Sequence, residues 1–196
     1  MILYYSDQRD PKYGQKLTHQ TSKDLKTWEP TVDDVTYPVY TARPGMPTVA
    51  LLPNGKYIFT YEYGGGPGFS SYSFPVYYRI ADDPRAFLSA PGQPLVAKGV
   101  TPLSSPYVVW SAEGGPNGTI IVTDGTHQQI FTNRALGDQK QWESHNVEES
   151  IAYTRHLRVL ERNPNRLLIM GAGKLPPSTT NKVSMSIVDL RKTLGM

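Results

Sequence analysis

Three stretches of the chain repeat one plan: an apolar run, a turn centred on Asn, and a second run rich in β-branched or aromatic residues. They are Thr48–Thr60, Tyr107–Val122 and Leu157–Met170, with turn residues Asn54, Asn117 and Asn165. The turns lie 63 and 48 residues apart, an interval that brackets the roughly 40–50 residues of one four-stranded blade. Hairpins recurring at that spacing predict a β-propeller, in which thin blades bury their faces by stacking on one another.

Further elements keep the same order. The first two hairpins are followed by a third run, Pro75–Ala81 and Gln129–Asn133, and then by a polar turn, Asp82–Phe87 and Leu136–Trp142. Ahead of the first hairpin, Lys16–Ser22 and Asp24–Trp28 repeat that pair. Trp28, Phe87 and Trp142 therefore fall in matching places, 59 and 55 residues apart. Ser22–Trp28 reads as a shortened Asp-box, the turn of sialidase-like propellers: the short Asp side chain caps backbone N–H groups and the aromatic packs between blades. Ile2–Ser6 reads as the second strand of a blade, two full blades follow, and Lys182–Asp189 reads as a third strand, with Pro176–Thr180 a loop before it. The predicted fold class is all-β: a single partial propeller over residues 1–196, about three and a half four-stranded antiparallel blades, its N-terminal blades missing. Such a piece leaves a blade face and strand edges uncovered.

Composition narrows the function. Gly and Pro, at 17 each, suit short strands and turns. Without cysteine there are no disulfides or thiolate metal sites. No apolar run reaches the length of a membrane helix, and Met1–Asp7 reads as a strand under way, with no signal peptide. The net charge of +3 is scattered, so neither nucleic acid nor membrane is expected as a partner. His19, His127, His145 and His156 lack metal-ligand spacing, and no cofactor motif is present. Gly64–Gly68 has no helix behind it, so it reads as a tight loop admitting a substrate or another backbone. Asn117-Gly-Thr119 is an N-glycosylation sequon but also a good hairpin turn, the favoured reading.

The strand Lys56–Tyr63 is the most suggestive stretch for chemistry. Period-two alternation puts Tyr57, Phe59, Tyr61 and Tyr63 on one face and Ile58, Thr60 and Glu62 on the other. A carboxylate at a strand end beside apolar neighbours can be desolvated and its pKa raised, as a glycosidase acid requires; a solvated strand-end Glu is the plainer alternative. Tyr4, Tyr5 and Asp7, then Tyr107 and Trp110, then Tyr153 and Arg155 recur as aromatic, acidic and basic groups at strand ends. Flat rings and charged groups suit carbohydrate recognition, and equally suit blade packing.

Tyr4–Pro11, Gly14–Trp28, Arg43-Pro-Gly-Met46 and Leu52–Gly65 resemble fungal glycoside hydrolase family 93. That resemblance implies a sialidase-superfamily, six-bladed propeller and an exo-α-1,5-L-arabinanase that releases arabinobiose from arabinan with retention. It covers nearly the whole chain but only the C-terminal half of a family member. By it, Glu62 matches one of two catalytic glutamates, with nucleophile as the first reading of its role and general acid as the alternative. The other glutamate lies in a Glu-Pro-Phe-like segment upstream of Tyr4, so this chain alone is expected to be inactive. Asp7, Arg43, Tyr153 and Arg155 are the implied sugar-contacting or subsite-shaping residues, and the full-length parent is implied to be extracellular. A non-catalytic carbohydrate-binding module is the main rival; a sialidase, which needs three Arg for its substrate's carboxylate, is a weaker one.

Overall fold

Alternation dictates the architecture. In a computed structural model describing residues 1–174 and 182–196, strand β5 (Tyr57–Glu62) is buried on both sides, with Ile58 in one apolar core and Phe59 and Tyr61 in another. A strand with two buried faces must lie between two other sheets.

The strands form four antiparallel sheets in sequence order. The first holds β1 (Ile2–Asp7), β2 (Lys16–Thr21) and β3 (Val32–Val35). The second holds β4 (Gly45–Leu51), β5, β6 (Val76–Ala81) and the short β7 (Gln93–Pro94). The third holds β8 (Tyr107–Ser111), β9 (Thr119–Thr123), β10 (Gln129–Asn133) and β11 (Trp142–Asn146). The fourth holds β12 (Arg155–Leu160), β13 (Asn163–Gly171) and β14 (Ser184–Asp189), followed by the single-turn helix α1 (Leu190–Thr193). Each sheet runs strand beside strand, the meander of a propeller blade, and β4, β8 and β12 lie side by side as the innermost strands. The Pro176–Thr180 loop expected from the sequence lies outside the described residues.

Three apolar cores glue the four sheets. Leu17 and Val35 of the first meet Phe59, Tyr61 and Phe87 of the second. Ile58, Val76 and Tyr78 meet Val108, Ile120, Val122, Phe131 and Trp142 of the third. Ile121 and Ile130 meet Leu157, Leu167, Ile169 and Val188 of the fourth, with Leu190 of α1 and Leu194 just after it closing that core. In β9 and β10, adjacent residues thus enter different cores, as a two-residue period requires.

The repeated turns hold in two cases and shift in the third. Asn54-Gly55 and Asn117-Gly118 turn the first two hairpins, the glycines taking φ values of 82° and 63°. The third has Asn163-Pro164 in place of an Asn-Gly pair, and it turns earlier, at Glu161-Arg162. Asn165 lies inside β13, where its Oδ1 accepts from the Arg191 backbone N–H at 2.7 Å. The three aromatics also differ: Phe87 and Trp142 are buried in cores, whereas Trp28 is only half-buried and joins none.

The turns before β3, β7 and β11 are capped by side chains. Asp24 accepts from the backbone N–H of Lys26 and Thr27 at 2.8 Å each, while Ser22 Oγ accepts from Leu25, held at φ 63°. Asp83 accepts from the Arg85 N–H at 2.9 Å, and Asn133 Oδ1 from Ala135 and Gly137. The N–H groups of Thr27 and Lys26 hold Asp24 down to about 2, and the Arg85 side chain does the same for Asp83. A carboxyl whose folded pKa is depressed contributes stability that is present above its unfolded value near 4 and lost as pH falls through its folded value. The urea midpoint is therefore expected to fall between pH 4 and 2. Asp24→Asn, which keeps an acceptor for the turn but cannot titrate, should flatten that slope; an unchanged slope would show that the cap contributes nothing.

Candidate active site

Antiparallel register gathers the polar strand ends at one rim of the blades. Asp7 pairs with Lys16, Gly45 with Glu62, Tyr107 with Thr123, and Arg155 with Gly171. Cross-blade bonds fix these ends together: Gln15 Nε2 donates to Pro44 O at 2.8 Å and Ser105 N–H to Glu62, while within the third sheet Gly125 N–H donates to Ser104 O at 2.8 Å.

Glu62 ends β5 on the face shared with Ile58 and Thr60, towards the inner strands β4 and β8. Thr60 and Thr48 hydroxyls bond at 2.8 Å on that face, and Thr48 Oγ1 accepts from Val108 N–H of β8. The carboxyl is 8 % exposed. Its Oε2 accepts from the Ser105 backbone N–H at 2.5 Å. Burial pushes its pKa up, and the Ser105 N–H and Ser104 hydroxyl only partly oppose this. The glycine opposite leaves room: a Cβ on Gly45 would stand 3.0 Å from Gln15 Nε2 and 3.5 Å from Glu62 Oε1. Four non-glycine residues around the carboxyl, Arg43, Met46, Ser104 and Ser105, adopt left-handed backbone with φ of 41°, 56°, 64° and 45°. Such strain persists only where surrounding structure enforces it, and it concentrates at functional sites.

The other predicted residues lie along the same rim with different surroundings. Asp7 is buried and gripped by Arg9 through two 2.8 Å bonds, which hold its carboxyl at about 2. Arg43 is exposed. Tyr153 is 36 % exposed, its hydroxyl 4.0 Å from Met46 Sδ, and it lines a cavity of about 410 Å³ with Gly125, Thr126, Ile151 and Lys174. Arg155 is wholly buried: Nη2 donates to the carbonyls of Asp124, His127 and Gln129 at 3.1, 2.5 and 3.0 Å.

The aromatic-rich strand divides as its alternation requires. Tyr61 and Tyr63 lie on the face away from Glu62, in the core between the first two sheets. Trp110 and Tyr107 pack as well, against Asn117 O and the His156 ring. The glycine loop admits a neighbouring backbone: a Cβ on Gly64 would lie 2.5 Å from Ser71 O and 3.0 Å from Thr41 O. Three residues at the rim escaped the sequence reading, namely Ser104, Ser105 and Asp124. The last had a signal: Asp124-Gly125 follows the apolar run of β9 at the rim that holds Glu62. The serine pair had none, because left-handed backbone at Ser leaves no mark in the sequence.

No protein-family model matches the chain, and no curated protein does. Solved structures do. The α-L-arabinofuranosidase of Fusarium graminearum with an iminosugar inhibitor, in mutant form, is 53 % identical with a TM-score of 0.97, over 98 % of this chain and 55 % of that one. The same enzyme with arabinobiose gives 54 % and 0.96 over the same shares. Penicillium chrysogenum α-L-arabinanase with arabinobiose gives 52 % and 0.93, again over 98 % and 55 %. The chain thus spans about half the length of the enzymes it matches. Its sheets, its register and its sequence agree in placing this chain in glycoside hydrolase family 93.

Proposed function

We propose that the chain supplies one wall and one catalytic carboxylate of a retaining exo-α-1,5-L-arabinanase that releases arabinobiose from arabinan. The observation that carries this reading is the buried Glu62 at the inner rim, with its pKa raised by desolvation and, among the described residues, no cation paired to it. A carboxyl whose pKa is raised by burial suits the general acid better than the nucleophile. On this reading Glu62 gives its proton to the glycosidic oxygen as that bond breaks. A second carboxylate, roughly 5–5.5 Å away, attacks the anomeric carbon from the opposite side. Glu62, now a carboxylate, then takes a proton from the water that displaces the enzyme from the glycosyl intermediate.

The second carboxylate must come from polypeptide beyond these 196 residues. The 55 % coverage of the matched enzymes supports this. So do the uncovered apolar side chains at alternate positions around β14, where Val183, Met185 and Ile187 are 78 %, 70 % and 58 % exposed. Further blades packed on that face would bury them. The same reading puts the parent protein outside the cell, where arabinan is met.

The rival reading is a carbohydrate-binding module without catalysis. Calorimetric titration with arabino-oligosaccharides separates the two, using the chain joined to the complementary half of a family member. The enzymatic reading predicts that Glu62→Gln keeps binding while turnover disappears. Binding with no turnover even before the substitution would favour the module.

A further inference from the structure

The segment Leu103–Ser105 is a strap stretched between two buried carboxylates. At one end Ser105 N–H donates to Glu62 Oε2 at 2.5 Å; at the other Leu103 N–H donates to Asp124 Oδ2 at 2.8 Å. Between them, Ser104 and Ser105 both hold left-handed backbone, φ 64° and 45°. Two consecutive non-glycine residues do not stay there unaided. The strap is held in place by Ser104 N–H on Phe74 O and by Gly125 N–H on the carbonyls of Leu103 and Ser104.

Asp124 is itself wholly buried and fully engaged. Oδ2 also accepts from Thr126 Oγ1 at 2.9 Å and meets His127 Nδ1 at 2.6 Å, and Oδ1 accepts from the His127 N–H at 3.0 Å. Arg155 Nη2 pairs with Oδ1 at 3.5 Å. Arg155 and His127 are thus the charged and titratable groups on Asp124. Around Glu62 the polar groups are Ser104, Ser105 and, across Gly45, Gln15, and among the described residues no charged side chain is paired to it. The strap carries the third blade's backbone N–H contact to Glu62.

We propose that Asp124 is a positioning residue for Glu62: by holding the Leu103 N–H it keeps the strap left-handed and so keeps the Ser105 N–H aimed at the Glu62 carboxyl. Its bearing on turnover rests on the catalytic reading of Glu62; the coupling itself does not. Loss of the Leu103 anchor lets the serine pair relax, which swings the Ser105 N–H off Glu62. A carboxylate that loses an N–H donor holds its proton to higher pH.

The test is a pH titration of ¹³C-glutamate-labelled 196-residue chain by NMR, with the Glu62 signal assigned by its loss in Glu62→Gln. Asp124→Ala is expected to move the Glu62 titration up by about one pH unit. Asp124→Asn, which keeps an oxygen for Leu103 N–H, should restore most of the original value. A folded Asp124→Ala chain with an unmoved Glu62 titration would overturn the proposal. The unmodified chain gives a second reading that no folding defect can spoil. Titrating Glu62 should shift the Leu103 amide in step with the Ser105 amide, and Glu62→Gln should silence both; a silent Leu103 in the unmodified chain would also overturn it. In the joined, arabinan-cleaving protein, the alkaline limb of the pH–rate profile should move with the Glu62 titration. If that protein proves inactive while the NMR coupling stands, the catalytic reading fails and the strap survives.

Discussion

Glu62→Gln in a completed propeller is expected to lower turnover of linear arabinan by about 10²–10⁴-fold, the range for loss of a general acid–base group. The fold should survive the change. Gln is isosteric, and its Oε1 can still accept from the Ser105 N–H that meets Glu62 at 2.5 Å. The pattern across substrates distinguishes the two roles open to this residue. An alkoxide leaving group needs its proton, whereas an acidic phenol departs without one. If Glu62 is the acid, an aryl arabinobioside with an acidic phenol should lose far less of its first-step rate than arabinan does. Equal loss on both substrates would assign Glu62 to attack at the anomeric carbon instead.

Trp142→Ala is the substitution with the largest expected effect on stability, about 3–5 kcal/mol. The side chain is 2 % exposed, sits in the core between the second and third sheets, and meets Tyr78 edge-on at 5.4 Å between ring centroids. At about 2–4 °C per kcal/mol for a chain of this size, the melting temperature should drop by roughly 6–20 °C. Trp142→Phe, which keeps an aromatic ring against Tyr78, should cost less than Trp142→Ala. Trp28→Ala, at the corresponding place in the first sheet, should cost about 1 kcal/mol because its ring is half-buried. Equal losses at the two sites, followed by thermal melting, would contradict the three-core description.

The propeller architecture was legible in the sequence because a blade repeats. The Asn-Gly turns, the period-two strands β5, β9 and β10, and the capped turns after Ser22, Asp82 and Asn133 are local features, and each recurred in order. Where the local signal changed, the reading slipped. Asn163-Pro164-Asn165 looked like a third Asn turn centred on Asn165, yet without a glycine to take positive φ the hairpin closed three to four residues earlier, at Glu161-Arg162. Matching sequence position did not guarantee matching burial for Trp28, because burial depends on which sheet lies opposite.

At the candidate site, alternation correctly separated Glu62 from the tyrosine face of β5, and Asp7, Tyr153 and Arg155 were legible as strand-end groups, whereas Arg43 came only from the family resemblance. What each does there was not legible. Asp7 is taken by Arg9 only two residues on, a local ion pair the sequence reading did not draw, whereas Arg155 is given over to three backbone carbonyls up to 31 residues away in sequence, a tertiary pairing. The strap between Glu62 and Asp124 was invisible for the same reason: its bonds join residues 43 and 21 positions apart through backbone groups.

The central claim is that Glu62 faces a sugar cleft whose opposing carboxylate lies on polypeptide outside these residues. The direct measurement is release of arabinobiose from linear α-1,5-arabinan by the 196-residue chain alone and by the same chain joined to the complementary half-propeller. The prediction is no release from the first and release from the second that is abolished by Glu62→Gln. Arabinobiose released by the chain alone, or none from the joined protein, would contradict it.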